Sequence, residues 1–348
     1  MFSRRKASSP SADAPLMRAM DIARSGPERG VLYAHRIPAP QPGEREVQLK
    51  VAYAGTNRAD LLQIEGSYHP PEGAPTTPGL EVSGTITAIG PHVVGWSVGE
   101  QVCALLSGGG YAEYVTVPAG QLLSVPGRIS LKEAAALPEA AATAYMALSV
   151  EARLRPYERV LVHGGASGTG LMLAQVARAW GGEVYATAGG PAKCEFVKQL
   201  GVTAIDHIAH DFHEQVMKLT KNEGVDVIID ILGGPQLQHH MKLLRPRGRL
   251  VCLALMEGNV AEDVKLGGLL MKQLTLRGAT LRNRTATEKE DIISGVHKHI
   301  WPHISTGVIK PYLDSVFPLE EAEKGLLRMQ ERLHCGKILL EVAPETTE

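Results

Sequence analysis

The stretch Gly165-Ala166-Ser167-Gly168-Thr169-Gly170 constrains this chain more than any other. It follows an apolar run of buried-strand type, Arg159-Val160-Leu161-Val162-His163, and opens a helical pattern from Leu171 to Trp180. Residues without side chains let backbone N–H groups approach a pyrophosphate, and a helix N-terminus adds a favourable dipole. The glycines fall as G-x-x-G-x-G rather than G-x-G-x-x-G, with the same physical consequence. In a strand–turn–helix context this spacing reads as a dinucleotide cradle rather than as a tight turn alone.

The pattern downstream supports that reading. Val184 to Ala188 is a second strand and Lys193 to Leu200 a second helix, closed by Gly201. Val225 to Asp230 is another strand, Leu237 to Leu244 another helix, and Arg249 to Leu253 a strand after the turn Pro246-Arg247-Gly248. Alternating strands and helices of these lengths predict an α/β, doubly wound parallel sheet. Upstream, Glu46 to Val51 alternates polar and apolar, and Gly84 to Ile89 and Tyr111 to Val117 look similar. Pro- and Gly-rich breakers such as Pro70 to Pro75 separate them, so this half predicts a small barrel-like β domain. Lys132 to Leu148 is Ala-rich and predicts a helix, and Lys337 to Val342 a strand that returns to the first domain. The expected boundaries are a disordered tail over 1–15, domains over 16–142 and 143–308, and a returning segment over 309–348.

Composition narrows the class. A chain of 348 residues suits about two domains, and 44% hydrophobic with 21% charged residues is ordinary for a globular protein. A formal net charge of -1 and only 5% aromatics favour neither nucleic acid nor an anionic membrane as partner. Cys103, Cys194, Cys252 and Cys335 show no C-x-x-C spacing, which argues against a disulfide framework and a cysteine-rich zinc site, and fits a reducing, cytoplasmic compartment. No apolar run approaches the ~18 residues of a membrane span. The first fifteen residues are Ser/Ala/Pro-rich with Arg4, Arg5 and Lys6 clustered. They read as a tail, with a weak mitochondrial presequence as the alternative.

The end of the second strand sorts the cofactor. An NAD site usually carries Asp or Glu about 20 residues past the glycine loop. Here the strand ends Ala186-Thr187-Ala188-Gly189-Gly190, and Lys193 follows. The missing carboxylate and the nearby cation favour NADPH, with Gly189 and Lys193 at the extra phosphate; a solvated helix residue is the alternative for Lys193.

Several spaced segments carry a resemblance. Asn57 to Leu62, Gly66-Ser67-Tyr68, Pro78 to Gly84, Ser107 to Val115 and Leu137-Pro138-Glu139-Ala140, in this order, resemble the zinc-free quinone oxidoreductases of the medium-chain dehydrogenase/reductase superfamily. The likeness spans roughly Met17 to Val342. It implies a GroES-like substrate domain, a Rossmann cofactor domain and a cleft between them. Alcohol dehydrogenases of that superfamily place Cys, His and Cys where this chain has Asn57, Leu80 and Glu139. Leucine cannot coordinate zinc and the thiolates are gone, so no metal is expected. His297, His299 and His303 lack an H-E-x-x-H motif and read as surface residues.

By the same resemblance, Asn57 and Thr143 lie near the nicotinamide. Leu232, Gly233, Leu255, Met256 and Leu281 line the rest of the groove, and Lys337 stands near the cofactor, with a solvated strand-edge lysine as the alternative. A family tyrosine near the adenosine is replaced by His207. Tyr68 is the expected substrate contact, with packing in its own loop as the alternative, and Asn57 is expected to orient the carboxamide or the substrate carbonyl, with a cap on local backbone as the alternative. Asp60 and Glu81 read as structural, holding loops through backbone N–H groups. Hydroquinone oxygens are acidic enough that solvent can supply the proton, so the expected reaction is hydride transfer from NADPH to a quinone without a side-chain acid. Two alternatives stay open: an NADPH-dependent enoyl or enone reductase, and a non-catalytic NADPH-binding protein, structural or RNA-binding. The resemblance also implies a homodimer or homotetramer, with Leu274 to Ala279 as a sheet-edge strand across the two-fold axis.

Overall fold

The computed structural model describes residues 15–23 and 30–343; the expected tail over 1–15 lies almost wholly outside them. The chain divides into two units: 1–142 with 282–298 and 311–348, and 143–281 with 299–310. The segment 282–298, expected in the cofactor domain, clusters with the first unit instead.

The first unit starts with strands β1 (Leu16–Ile22) and β2 (Leu32–Pro38), an antiparallel pair. It continues with β3 (Glu46–Gly55), β4 (Glu81–Ile89), β5 (Gln101–Leu105), β6 (Tyr114–Pro118) and β7 (Leu122–Ser124). Strand β3 is the hub: Glu46 to Lys50 pair with β6, and the strand pairs along its length with β4. Val47, Leu49 and Val51 are fully buried at alternate positions, the period that a half-buried strand requires. The expected strand over Tyr111 to Val117 begins only at Tyr114. Gly108 and Gly109 turn the backbone with positive φ, and Tyr111 then drops into the core to donate a hydrogen bond to Asp60.

The Ala-rich segment is not one helix. Short helices cover Leu131–Ala134 and Pro138–Tyr145, and a π-helical turn covers Met146–Glu151. Pro138 supplies the break, because it has no N–H and disfavours helical backbone at the residue before it.

The second unit carries β8 (Arg159–Val162), β9 (Glu183–Ala188), β10 (Thr203–Asp206), β11 (Val225–Asp230), β12 (Leu244–Cys252) and β13 (Thr275–Gly278). All pair in parallel, in the order β10-β9-β8-β11-β12-β13. Counted from β8 this is 3-2-1-4-5-6, the Rossmann order, whose reversal between β8 and β11 is where ligands bind. The expected helix to Leu244 ends at Leu243, and the turn Pro246 to Gly248 sits within β12 as an irregularity of the pairing with β11. Strands β14 (Leu313–Pro318) and β15 (Lys337–Glu341) return to the first unit, where Leu339 to Glu341 of β15 pair with β3.

Candidate functional site

In the second unit, parallel pairing puts every strand's carboxyl end on one edge, and the expected cofactor residues follow those ends. After β8, Gly164 takes a positive φ of 67° and its N–H donates to Thr187 Oγ1 at 3.2 Å. The Gly165 N–H donates to the Thr187 carbonyl at 2.7 Å, which presses the loop against β9. A Cβ on Gly165 would stand 2.7 Å from that of Ala186, and one on Gly170 would stand 2.2 Å from the Gly164 carbonyl. Both glycines are therefore demanded by close packing. Ser167 caps the helix Gly168–Ala179 by accepting from the Gly170 N–H at 3.0 Å, and Ala166 is buried beside it. The N–H groups of Gly168 and Thr169 at the helix start have no acceptor within the helix. This is a backbone arrangement suited to a diphosphate.

Gly189 follows β9, and a Cβ there would lie 3.4 Å from His207 Nε2, so His207 and Gly189 are neighbours. Lys193 occupies the first turn of the helix Pro191–Lys198. After β11, Leu232 and Gly233 donate backbone hydrogen bonds to Asp230 at 2.7 and 3.2 Å. After β12, the Met256 N–H donates to the Ile231 carbonyl at 2.9 Å, and Leu255 is half exposed beside Gly233. Leu281, past β13, is buried, and so is Thr143 at the start of this unit. Sequence reasoning missed Asp206 at the end of β10. Its Oδ1 accepts from the Gly190, Ile208 and Ala209 N–H groups, which hold its carboxyl below the ordinary range.

Sequence reasoning also missed a buried trio. His163 and His240 bring their Nε2 atoms to 3.0 Å, and His240 Nε2 lies 4.0 Å from Asp230 Oδ1. Among the described residues this is the one group of three with donor atoms converging as a metal would need. The atoms already serve one another. His163 Nδ1 meets Thr187 Oγ1 at 3.2 Å, and Asp230 holds the Leu232–Gly233 turn. Burial pushes His163 well below the ordinary histidine range and His240 down to about 4, so both rings are neutral near pH 7.

In the first unit, Asn57, Glu81 and Lys337 form one buried cluster. The Lys337 ammonium donates to Asn57 Oδ1 at 2.7 Å and pairs directly with Glu81. Lys337 is only 4% exposed, which overturns the solvated strand-edge alternative. Asn57 Nδ2 donates to Glu81 at 3.0 Å, so a cation and a carboxylate together fix which way the amide faces. Glu81 also accepts from the Glu139 N–H at 2.9 Å. Leu80, beside it in the chain, is buried with the core. Asp60 is fully buried and accepts from the Asn57 N–H, the Gly79 N–H and the Tyr111 hydroxyl; burial pushes it up to about 6 against those three donors. Asp60 and Glu81 thus hold backbone N–H groups, as expected.

Glu139 is half-buried, and withdrawal of its carboxyl from water, with Glu81 next in weight, pushes it up to about 8. Tyr68 is half-buried, with the Arg282 guanidinium 5.4 Å from its ring centroid. Sequence reasoning did not single out Arg282 or Lys289. Both are 3% exposed, on a segment with no local motif. His299 stacks on Tyr145 at 6.0 Å, and neither it nor His297 or His303 joins a metal-like group among the described residues.

Residues 43–127 match the alcohol dehydrogenase GroES-like domain, and residues 168–295 the family described as zinc-binding dehydrogenase. The chain is 33% identical over 304 residues to quinone oxidoreductase-like protein 2 of Bos taurus, covering 86% of each. It is 32% identical over 320 residues to the synaptic vesicle membrane protein VAT-1 homolog of Rattus norvegicus, covering 88% of this chain and 79% of that one. The crystal structure of CurK enoyl reductase superposes with a TM-score of 0.81 at 28% identity, over 94% of this chain and 99% of that one.

Proposed function

Because the chain belongs to the medium-chain dehydrogenase/reductase superfamily, as a quinone oxidoreductase-like oxidoreductase using a nicotinamide cofactor, we propose that it is a zinc-independent, NADPH-dependent reductase of quinones. The observation that carries the proposal is the Lys337–Glu81–Asn57 cluster. The superfamily's alcohol dehydrogenases put zinc ligands at the positions of Asn57, Leu80 and Glu139, and here a buried ammonium already pairs with Glu81, the buried carboxylate that also holds the Asn57 amide and the Glu139 N–H. A divalent cation would meet a fixed positive charge, one amide, an aliphatic side chain and the single carboxyl of Glu139, with no thiolate or imidazole, which is a poor donor set for zinc.

The glycine loop fits a dinucleotide, since Gly165 and Gly170 leave no room for a Cβ and the first N–H groups of the helix have no acceptor within it. Gly165 to Gly170 would hold the diphosphate, Gly189, Lys193 and His207 the adenosine end with its extra phosphate, and Leu232, Gly233, Leu255, Met256, Leu281 and Thr143 the remaining groove. When bound, the cofactor supplies a hydride to the acceptor. The residues of the first unit orient and exclude water. Tyr68, rigidly backed by Arg282, offers a flat face to a flat acceptor, and Asn57 presents an amide of fixed orientation. The proton for the reduced acceptor comes from solvent, so no relay residue is assigned.

Calorimetric titration with NADPH and NADH tests the cofactor, and NADPH oxidation on a panel of quinones tests the reaction. At least about tenfold tighter binding of NADPH, lost in Lys193→Glu, is the expected outcome. Equal binding of both nucleotides, or no quinone turnover above blank, overturns the reading. Reduction of conjugated C=C bonds without quinone turnover would favour the enoyl reductase reading, to which the CurK likeness lends weight.

A further inference from the structure

Arg282 and Lys289 are two buried cations with more donors than partners. The Arg282 Nε–H donates to the Ser107 carbonyl at 3.0 Å and an Nη2–H to Gln63 Oε1 at 2.6 Å. Its Nη1 is buried with no hydrogen-bond partner. The Lys289 ammonium donates to Ser107 Oγ at 2.6 Å, one of its three N–H bonds. Both cations thus converge on Ser107, and Tyr68 lies over the guanidinium of one of them.

The surrounding charge leaves a surplus. Glu81 is matched by Lys337, and Asp60 faces Arg282 while its oxygens accept from the Asn57 and Gly79 N–H groups and the Tyr111 hydroxyl. The remaining carboxyl is Glu139, which faces Glu81, Asp60, Lys337, Lys289, Arg282 and Tyr68. Pushed up to about 8, it keeps its proton near neutral pH and leaves one cation without a counter-charge. A guanidinium presents a planar fork that matches a carboxylate, and an ammonium beside it adds a point charge.

We propose that Arg282 and Lys289 bind a carboxylate borne by the acceptor, so that the substrates are flat conjugated carbonyl compounds carrying an anionic carboxylate. This rests on the reductase reading for its reaction, but the anion site stands on its own geometry. Glu139 ionises above about pH 8 and supplies a competing negative charge, so carboxylate binding weakens as pH rises through that value.

Two measurements separate the site from the reaction. The first is calorimetric titration of the cofactor-free protein with benzoate, for the unmodified chain, Lys289→Met and Arg282→Gln, each checked for folding by thermal melt. Binding that weakens about tenfold or more in a folded variant, and declines above pH 8, is expected. Absent binding, or equal binding by unmodified and Lys289→Met protein, overturns the anion site. The second compares NADPH-dependent reduction of 1,4-naphthoquinone-6-carboxylate with that of its methyl ester, which matches it in shape without the charge. The carboxylate's KM is expected to be at least about tenfold the lower, with the ratio approaching one in Lys289→Met. Equal KM values overturn the substrate class. Benzoate binding without turnover of either quinone leaves the anion site standing and sinks the reductase reading; turnover without benzoate binding does the reverse.

Discussion

Lys337 is the residue on which the first unit's polar interior turns. Its ammonium serves Glu81 and Asn57 together, and removing one member of a buried pair strands the other charge away from water. Lys337→Met is expected to lower unfolding stability by about 3–5 kcal/mol, read by urea denaturation. The double variant Lys337→Met, Glu81→Leu should recover much of that loss. A single variant as stable as the unmodified chain would mean that the pair is not formed. Gly170 is constrained by contact rather than by charge, since a Cβ there meets the Gly164 carbonyl at 2.2 Å. Gly170→Ala should cost about 1–3 kcal/mol by overpacking and weaken nucleotide binding, whereas Gly127→Ala, where a Cβ meets nothing within 4 Å, should be neutral in both assays.

At the scale of elements, the loops after β8 and β11 are tied together by the His163–His240 pair and Asp230. Burial holds His240 down at about 4, so the unfolded chain takes up that proton first as pH falls below about 6.5. The stability this histidine contributes is present above its unfolded value and is lost as pH falls toward 4. His240→Gln, which keeps a donor near His163, is expected to flatten the fall in melting temperature between pH 6.5 and 4. Parallel curves for variant and unmodified protein would contradict this. The strands that frame these loops were legible in sequence because β8 and β11 are buried on both faces and carry the apolar runs Val160 to Val162 and Val227 to Ile229. The segment Lys132 to Leu148 was less so, because its alanines favour helix throughout while Pro138 breaks it into separate pieces. The cluster partners were legible least: Lys337 meets Asn57 across 280 residues and Arg282 meets Gln63 across 219, so no local pattern marks them. The glycine loop is the opposite case, its close-packed geometry written in six consecutive residues.

For the molecule as a whole, the exposed edge of the parallel sheet is a question of assembly. Every residue of β13 is exposed, and among the described residues the strand pairs on one side only, with β12. An open strand of this kind pairs readily with a second copy across a two-fold axis. A dimer by sedimentation equilibrium, converted to monomer by Leu276→Asp, is the expected result; a monomer at all concentrations would rule out this edge as the interface. Hydride transfer to a quinone without a metal is the outcome on which the proposed reaction turns, because Lys337 already pairs with Glu81 beside the positions, Asn57, Leu80 and Glu139, where the superfamily's alcohol dehydrogenases carry zinc ligands. Stopped-flow mixing of chelator-treated, metal-analysed protein, loaded with NADPH, against a quinone tests it most directly. Oxidation of NADPH at an undiminished rate after zinc has been shown to be absent is the predicted result. Activity that vanishes on chelation and returns with added zinc would contradict it.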